Sequence, residues 1–305
     1  MRDFVTNYSW HLLIQPKTIH IVRLLPNQKI LDITPKNLPR FSQTYPFMWK
    51  LCWELAENGK HSFPFYRTVT FHFNDKHFVM RLDMTKIPEC GYYFRDPTAT
   101  LTEIISRGGQ TMLDIGANVG FHSISAGLKF DKVFAFEPTP STFERLSENI
   151  RLSNAKNVFA HNLALSSKET NVQLWTNPLN CGANSLKPLL QIDKYDSTPI
   201  EVKAISLDDF VNKQNIANVD LIKIDVEGYE PDVLAGAINT LERDRPVLFV
   251  EILAAELLDK IKEIIPGDYQ AWNPLEKSII RDSSLTETAL KIRDIIFSVG
   301  NPYCR

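Results

Sequence analysis

Hydrophobic and polar residues follow two different patterns along the chain, and the pattern changes near Thr98. Before this point, Thr68–Phe73 and His77–Leu82 are predicted as two strands joined in a β-hairpin. After it, short apolar segments alternate with amphipathic ones, which predicts strands alternating with helices. We therefore expect an α/β fold with a mostly parallel sheet over residues 96–305, preceded by an extension of residues 1–95.

The alternating part contains five predicted core strands. They are Met112–Ile115, Lys132–Phe136, Val158–Leu163, Asp220–Ile224 and Val247–Glu251. Between the third and the fourth, Val172–Trp175 and Ile200–Ile205 predict two added strands. The polar linker between these two is predicted to be either a lid over a site or a plain surface loop. Ser141 followed by Glu144 predicts a capping box at the start of a helix.

The extension contains a second predicted element besides the hairpin. Met48–Asn58 has apolar residues at helical spacing and is followed by Gly59, which predicts a short amphipathic helix. The extension is expected to be a cap over the substrate, a dimerisation element or extra packing on the main domain. A homodimer therefore remains one of the open alternatives.

Composition narrows the class of protein. The chain has 305 residues, 44% of them hydrophobic and 23% charged, with a net charge of −2. This balance argues against a nucleic-acid binder, which usually carries a basic field. The four cysteines form no CxxC pair, so neither a zinc site nor a disulfide framework is expected. With no apolar run long enough for a bilayer or a signal-peptide core, we expect a cytoplasmic protein.

The segment LDIGANVGF, residues 113–121, predicts a nucleotide-type ligand site. A strand would end at Asp114-Ile115, and the glycines that follow allow a tight turn and a close backbone approach by a ligand. The next helix would open with its amide groups facing the crevice. About 20 residues later the second strand ends at Glu137, whose carboxylate suits ribose hydroxyls.

Two residues of this segment discriminate between cofactors. A dinucleotide fingerprint beginning at Gly116 would need glycine at position 118 and glycine or alanine at position 121. The sequence has Asn118 and Phe121 instead. S-adenosylmethionine carries no phosphate, and Asp114 would complement its ammonium group directly or through water. The pattern therefore favours S-adenosylmethionine over a nicotinamide dinucleotide.

The segments DIGANVGFHS, FAFEP, NLALSS, SLDDF and LIKIDVEGYE occur in the order seen in FkbM-type methyltransferases. The chain resembles this family of class I S-adenosylmethionine-dependent enzymes from about Thr98 to Ile252. The resemblance implies a Rossmann-like, doubly wound sheet of seven strands with the cofactor above the carboxyl ends of the first strands. The cofactor-binding residues that it implies are Asp114, Gly116, Asn118, Gly120, Glu137, Asn162 and Asp225. Asn162 has an alternative role as a loop-capping amide.

The predicted catalytic residues follow the strand Asp220–Ile224, which a doubly wound sheet places beside the first strand. Asp225 is the leading candidate, either as general base or to orient an acceptor hydroxyl, and a cap or cofactor-orienting carboxylate is the alternative. Glu227 is a weaker candidate, because acids before a helix also complement its dipole. His122 suits proton removal near neutral pH, or it packs beneath the loop.

The acceptor is expected to carry a hydroxyl, on a small molecule, a sugar or a glycan. The residues predicted to contact it are Asn180, Asn184, Ser185, Tyr93 and Glu251. The turn after Ile224 lacks the Asn/Asp-Pro-Pro-aromatic motif of base-methylating enzymes, so nucleic acid is a poor acceptor candidate. The carboxylates near the crevice could hold Mg²⁺, although nothing in their spacing requires it. A catalytically silent scaffold protein with this fold is the alternative function.

Overall fold

The computed structural model describes residues 10–15, 18–23, 66–73, 75–83, 86, 89, 99–176, 182, 184–186 and 199–303. The chain divides into two compact units, residues 1–58 and 59–305. In the first unit, β1 (Trp10–Gln15) and β2 (Thr18–Arg23) form an antiparallel hairpin. The helix predicted for Met48–Asn58 lies outside the described residues.

The second unit contains the remaining described elements in an alternating order. Its strands are β3 (Tyr66–Phe73), β4 (Lys76–Asp83), β5 (Gly109–Ile115), β6 (Phe130–Phe136), β7 (Val158–His161), β8 (Ala164–Leu165), β9 (Thr170–Leu174), β10 (Ile200–Ile205), β11 (Leu221–Ile224), β12 (Val247–Glu251), β13 (Gln270–Asn273), β14 (Ser278–Ile279) and β15 (Asp294–Ser298). Its helices are α1 (Ala99–Ser106), α2 (Phe121–Ala126), α3 (Pro140–Leu152), α4 (Leu207–Lys213), α5 (Glu230–Ala235), α6 (Ile238–Asp244), α7 (Ala255–Ile264) and α8 (Asp282–Ile292).

The central sheet has the strand order β14-β13-β15-β12-β11-β5-β6-β7. Strands β5, β6, β7, β11 and β12 pair in parallel, whereas β15 is antiparallel to both of its neighbours. This confirms the predicted α/β fold and its mostly parallel sheet. The prediction of seven strands was wrong by one, because the chain turns after β13 and adds the two-residue β14 at the edge. The order of the parallel strands across the sheet changes direction between β5 and β11. In open α/β sheets a ligand-binding crevice forms at such a point.

Both faces of the central strands are buried, because helices cover the sheet on each side. Successive side chains of a strand point to opposite faces. Accordingly, Leu113 and Ile222 belong to one apolar cluster, while Met112 and Leu221 belong to the other. All four residues of β11 are buried, and one of them is the charged Lys223.

Helix α3 begins earlier than the sequence pattern predicted. Its N-cap is Thr139 and Pro140 occupies the first turn, so Ser141 is a helical residue and not the cap. Proline fixes φ near the helical value and lacks an N–H, which makes it well suited to the first helical position. The capping-box prediction at Ser141 was therefore wrong, although the helix itself is present.

The hairpin of β3 and β4 confirms the prediction for residues 68–82 and packs on α3. The Asn149 side chain of α3 accepts a hydrogen bond from the Arg81 N–H at 2.7 Å and donates one to the Val119 carbonyl at 2.9 Å. The hairpin thus lies in the same compact unit as the sheet, whereas the sequence assigned it to an extension ending at residue 95. The role of that extension as a cap or dimerisation element stays a prediction.

The two predicted added strands are present as β9 and β10. Strand β10 pairs antiparallel with β9 and parallel with β8, which gives a separate three-stranded sheet. Most of the linker between β9 and β10 lies outside the described residues. Within the part of the chain that the structure describes, every helix is too short or too polar to cross a membrane.

We expect Asn149→Leu to destabilise the protein by about 2–4 kcal/mol, because it removes the side-chain partner of the part-buried Arg81 N–H and of the buried Val119 carbonyl. Chemical denaturation followed by circular dichroism measures the change. Asn212→Leu is the matched control, since Asn212 is an exposed helical residue. Equal stabilities for the two variants would contradict the anchoring role of Asn149.

Candidate active site

The turn after β5 forms the floor of the crevice. Gly116 has a φ of 78°, and a Cβ placed on it would lie 1.9 Å from the Asp225 carbonyl oxygen. The N–H groups of Gly116 and Ala117 both donate to the Phe136 carbonyl, at 3.1 and 2.9 Å. The Asp225 N–H donates to the Ile115 carbonyl at 3.1 Å. The loops after β5, β6 and β11 are therefore packed backbone against backbone.

Glu137, which follows β6, connects two of these loops. Its carboxylate accepts hydrogen bonds from the N–H of Asn118 at 3.0 Å and from the N–H of Thr139 at 2.9 Å. Asn118 has a φ of 50°, the left-handed conformation that asparagine tolerates better than most residues. Burial raises the pKa of Glu137, and the hydrogen bonds from Thr139 and Asn118 oppose that rise. Glu137 lines the cleft, as predicted for a residue that binds ribose.

Lys223 is a functional candidate that sequence reasoning missed. It lies opposite Asp114 in the register of β11 and β5, and it is only 3% exposed. Its Nζ donates to the Gly116 carbonyl at 2.9 Å and lies 3.4 Å from Asp114 Oδ1 and 3.3 Å from Asp225 Oδ2. The available signal was a lysine within the otherwise apolar strand LIKI, because a charged residue in a buried strand requires specific partners.

Asp114 was predicted to line the methionine end of the cofactor. The structure buries it completely and does not place it in the cleft lining. Its carboxylate accepts a hydrogen bond from Ser123 Oγ at 2.5 Å in addition to the ion pair with Lys223. Direct contact between Asp114 and a ligand stays a prediction. In this structure Lys223 pairs with the Asp114 carboxylate and also contacts Gly116 and Asp225, which line the cleft.

Three carboxylates converge at one end of the cleft. Oxygen atoms of Asp225, Glu227 and Glu251 lie within 4.8 Å of one another. Burial, together with the charges of Asp225 and Glu230, raises the pKa of Glu227 to about 8. Burial and the neighbouring carboxylates also raise the pKa of Glu251. Its Oε2 is buried and accepts no hydrogen bond from any described residue. The structure thus brings Asp225 and Glu227, which line the cleft, together with Glu251, which does not, and the roles of all three stay predictions.

Glu230 fixes the loop that presents these acids. Its Oε1 accepts hydrogen bonds from the N–H of Gly228 at 3.0 Å and of Val226 at 3.3 Å. Glu227 and Gly228 both have positive φ, at 55° and 98°, so the backbone turns sharply between β11 and α5. Burial raises the pKa of Glu230 to about 7, against these hydrogen bonds. Its role in the structure is to cap the loop.

The loops enclose a cleft that opens to solvent. The polar wall of the cleft contains Gly116, Asn118, Glu137, Thr139, Asp225 and Glu227, and the apolar wall contains Phe136, Leu163, Leu165, Leu174, Leu186 and Val226. One cleft therefore joins the predicted cofactor residues to the predicted catalytic carboxylates.

The linker after β9 contributes its described residues to the same cleft. The Asn184 side chain donates to Thr139 Oγ1 at 3.0 Å, and the backbone of Ser185 exchanges two hydrogen bonds with Trp175. Ser185 Oγ also donates to the Glu227 carbonyl at 2.8 Å. Asn184 lines the cleft, whereas the Ser185 side chain is buried against the loop that carries Glu227. Asn180 and Tyr93 lie outside the described residues, and their acceptor-binding roles stay predictions.

Three other predicted residues lie away from the cleft lining. His122 is buried beside Phe121 in α2, and burial together with the Lys223 charge lowers its pKa to about 4. Gly120 is the N-cap of α2 and faces Leu146 of α3. The Asn162 side chain donates to the carbonyls of Glu137 and Pro138 at 2.9 and 3.0 Å, so it caps the loop after β6. These placements favour the structural alternatives for His122 and Asn162.

Comparison with known proteins identifies the family. Residues 114–272, more than half of the chain, match the model of the methyltransferase FkbM domain. The chain belongs to the FkbM methyltransferase family. This confirms the resemblance that the five sequence segments indicated.

The relatives that the chain resembles include a hexuronic acid methyltransferase and a 2-O-methyltransferase. It is 33% identical over 129 residues to the hexuronic acid methyltransferase AglP of Haloferax volcanii, covering 42% of this chain and 50% of that protein. It is 26% identical over 190 residues to the 2-O-methyltransferase NoeI of Sinorhizobium fredii, covering 54% of this chain and 74% of that protein. The match spans about half the length of AglP.

A solved structure of the same family also matches. The FkbM methyltransferase of Methylobacillus flagellatus aligns with a TM-score of 0.40 and 19% identity, covering 62% of this chain and 43% of that one. The fold assignment for this chain rests on its own strand order and on the family match.

We expect Gly116→Ala to destabilise this FkbM domain by about 1–3 kcal/mol, since it places a Cβ at positive φ and against the Asp225 carbonyl. The sequence-based expectation was that a side chain at Gly116 would fill the ligand's space, but the obstacle is the neighbouring loop. Gly267→Ala is the control, because a Cβ at Gly267 meets no described atom within 4 Å. Urea denaturation that shows equal stability for both variants would contradict the close loop contact.

The raised pKa values predict a pH dependence of stability. Glu227 and Glu251 release their protons near pH 4.5 in the unfolded chain but hold them in the fold, so stability falls as pH rises from about 4.5 towards the Glu227 value of about 8. We expect Glu251→Gln to reduce this loss by on the order of 1 kcal/mol, because it removes one acid and its repulsion of Glu227.

The measurement is the unfolding free energy at pH 6 and pH 9 for the wild type, Glu251→Gln and Glu256→Gln. Glu256 is exposed on α7, so its substitution is expected to leave the pH dependence unchanged. An identical loss in Glu251→Gln and the wild type would show that Glu251 is not held protonated.

Proposed function

We propose that this chain transfers the methyl group of S-adenosylmethionine to a hydroxyl oxygen of a small molecule, a sugar or a glycan. The observation that carries this proposal is the shared cleft, whose lining includes Glu137, the Gly116 turn and Asp225. Membership of the FkbM family supports the reaction type. The names of the relatives AglP and NoeI support a sugar hydroxyl as the acceptor.

The residues of the cleft fit the cofactor. Gly116 and Asn118 of the turn after β5 line the cleft, and the carboxylate of Glu137 can accept hydrogen bonds from vicinal ribose hydroxyls. The apolar wall, including Phe136 and Leu163, suits an aromatic base. Asn118 presents a side chain where a dinucleotide would need a bare backbone. When bound, S-adenosylmethionine supplies an electrophilic methyl carbon, and the chain supplies position and proton removal.

The carboxyl groups of Glu227 and Asp225 lie in different environments, which suits them to different roles. Glu227 has a pKa of about 8, so at neutral pH it keeps its proton and can donate a hydrogen bond to an acceptor oxygen. The Asp225 side chain is 45% exposed and carries the ion pair with Lys223. Asp225 is therefore the residue that can remove a proton from the acceptor hydroxyl as the oxygen attacks. A base in this position contributes on the order of 10²–10⁴ in rate.

Incubation with S-adenosylmethionine and a panel of glycosides tests the acceptor class. The panel consists of methyl glycosides of hexuronic acids and of neutral sugars, and mass spectrometry detects the added methyl group. We expect a gain of one O-methyl group on at least one glycoside, with S-adenosylhomocysteine as the co-product. Release of S-adenosylhomocysteine only in the presence of amines, with no glycoside methylated, would contradict O-methylation.

Asp225→Asn tests the base directly. We expect turnover to fall by about 10²–10⁴ while the circular dichroism spectrum and the unfolding midpoint stay close to those of the wild type. Asp259→Asn on α7 is the control, because Asp259 is exposed and outside the cleft. Turnover of the Asp225 variant within threefold of the control would remove Asp225 from the mechanism.

A further inference from the structure

The ammonium group of Lys223 has an unusual environment for a residue inside a parallel sheet. It is 3% exposed, and one hydrogen-bond acceptor and two carboxylate oxygens lie within 3.4 Å of its Nζ. They are the Gly116 carbonyl at 2.9 Å, Asp225 Oδ2 at 3.3 Å and Asp114 Oδ1 at 3.4 Å. A buried charge is tolerated only when it is paired and hydrogen-bonded, and this one meets both conditions.

The three partners belong to different parts of the site. Asp114 is a fully buried residue of β5, whereas Gly116 and Asp225 line the cleft from the loops after β5 and β11. A lysine that served only to neutralise Asp114 would not need contacts with the Gly116 carbonyl and the Asp225 carboxylate. The Lys223 side chain is anchored in β11, so its ammonium fixes the Gly116 carbonyl and the Asp225 carboxylate relative to one another.

We propose that Lys223 is a positioning residue, which holds the Gly116 turn and Asp225 in the arrangement that binds the cofactor. This inference rests on the proposed function and deepens it, because it assigns a role to a residue that contacts the loops of the site without lining the cleft. A side chain at this position that lacked the ammonium would remove the contacts that join the Gly116 carbonyl to the Asp225 carboxylate through Lys223. The cleft would then lose pre-organisation and bind its ligand more weakly.

The competing explanation is that Lys223 serves only to neutralise the buried Asp114. Variants that lack the Asp114 charge distinguish the two explanations. In Asp114→Asn, the lysine keeps its contacts with Gly116 and Asp225. In Asp114→Asn/Lys223→Met, those contacts are lost without stranding a buried aspartate, so the double variant avoids the folding defect expected of Lys223→Met alone.

The experiment measures S-adenosylhomocysteine affinity by calorimetry for the wild type and both variants, below their unfolding temperatures. Lys262→Met is the control, because Lys262 is an exposed lysine paired with Asp282 at 3.2 Å. We expect the double variant to bind about tenfold more weakly than Asp114→Asn, with a similar unfolding midpoint. The control should bind like the wild type.

Affinities within twofold for Asp114→Asn and the double variant would overturn the proposal and leave Lys223 a purely charge-neutralising residue. That result is distinct from failure of the proposed function, in which the folded wild type itself would bind no S-adenosylhomocysteine. In that case the positioning role falls together with the cofactor assignment.

Discussion

Direct backbone contact between the loops after β5 and β11 is the constraint on which the site depends. A single methyl group at Gly116 would collide with the Asp225 carbonyl, so these two loops have no room for side chains between them. The contact sets the distance between the Gly116 turn and the predicted base Asp225. It arises because β5 and β11 are adjacent parallel strands whose carboxyl ends meet at one edge of the sheet.

The same packing brings charged side chains together at the carboxyl-end edge of the sheet. One buried ammonium, that of Lys223, lies among several carboxyl groups. Burial raises the pKa of Glu227, Glu230 and Glu251. Glu227 and Glu251 hold protons at neutral pH because burial and their neighbours disfavour a further negative charge. Asp225 is the half-exposed member beside the ammonium. Hydrogen-bond donor and proton acceptor can thus coexist within a few ångströms without a second cation.

Much of the fold followed from local pattern. Apolar strands such as Val247–Glu251 are long enough in sequence to be recognised, and the order of the elements determines a parallel sheet. The eighth strand was missed because β14 has two exposed residues and no pattern of its own. The start of α3 was misplaced because a Ser/Glu spacing outweighed Pro140, whose fixed φ decides where that helix begins.

The candidate site was predicted less completely than the fold, because the sequence does not show which way each side chain points. Residues that end a strand were placed at the crevice, and for Glu137 and Asp225 this matches the cleft lining. Asp114 precedes the strand end by one residue, so strand alternation turns it beneath the loop. Lys223 was overlooked because its importance depends on the register of two distant strands, which sequence spacing does not reveal. The strand pairing supplies that information.

A crystal structure of the protein grown with S-adenosylhomocysteine tests the central claim most directly. We predict that the nucleoside lies in the cleft, with both ribose hydroxyls within hydrogen-bond distance of the Glu137 carboxylate and the thioether facing Asp225. The Gly116 turn and Lys223 should keep their contacts. Density for the ligand at another surface, or a ribose bound without Glu137, would contradict the assignment of this cleft.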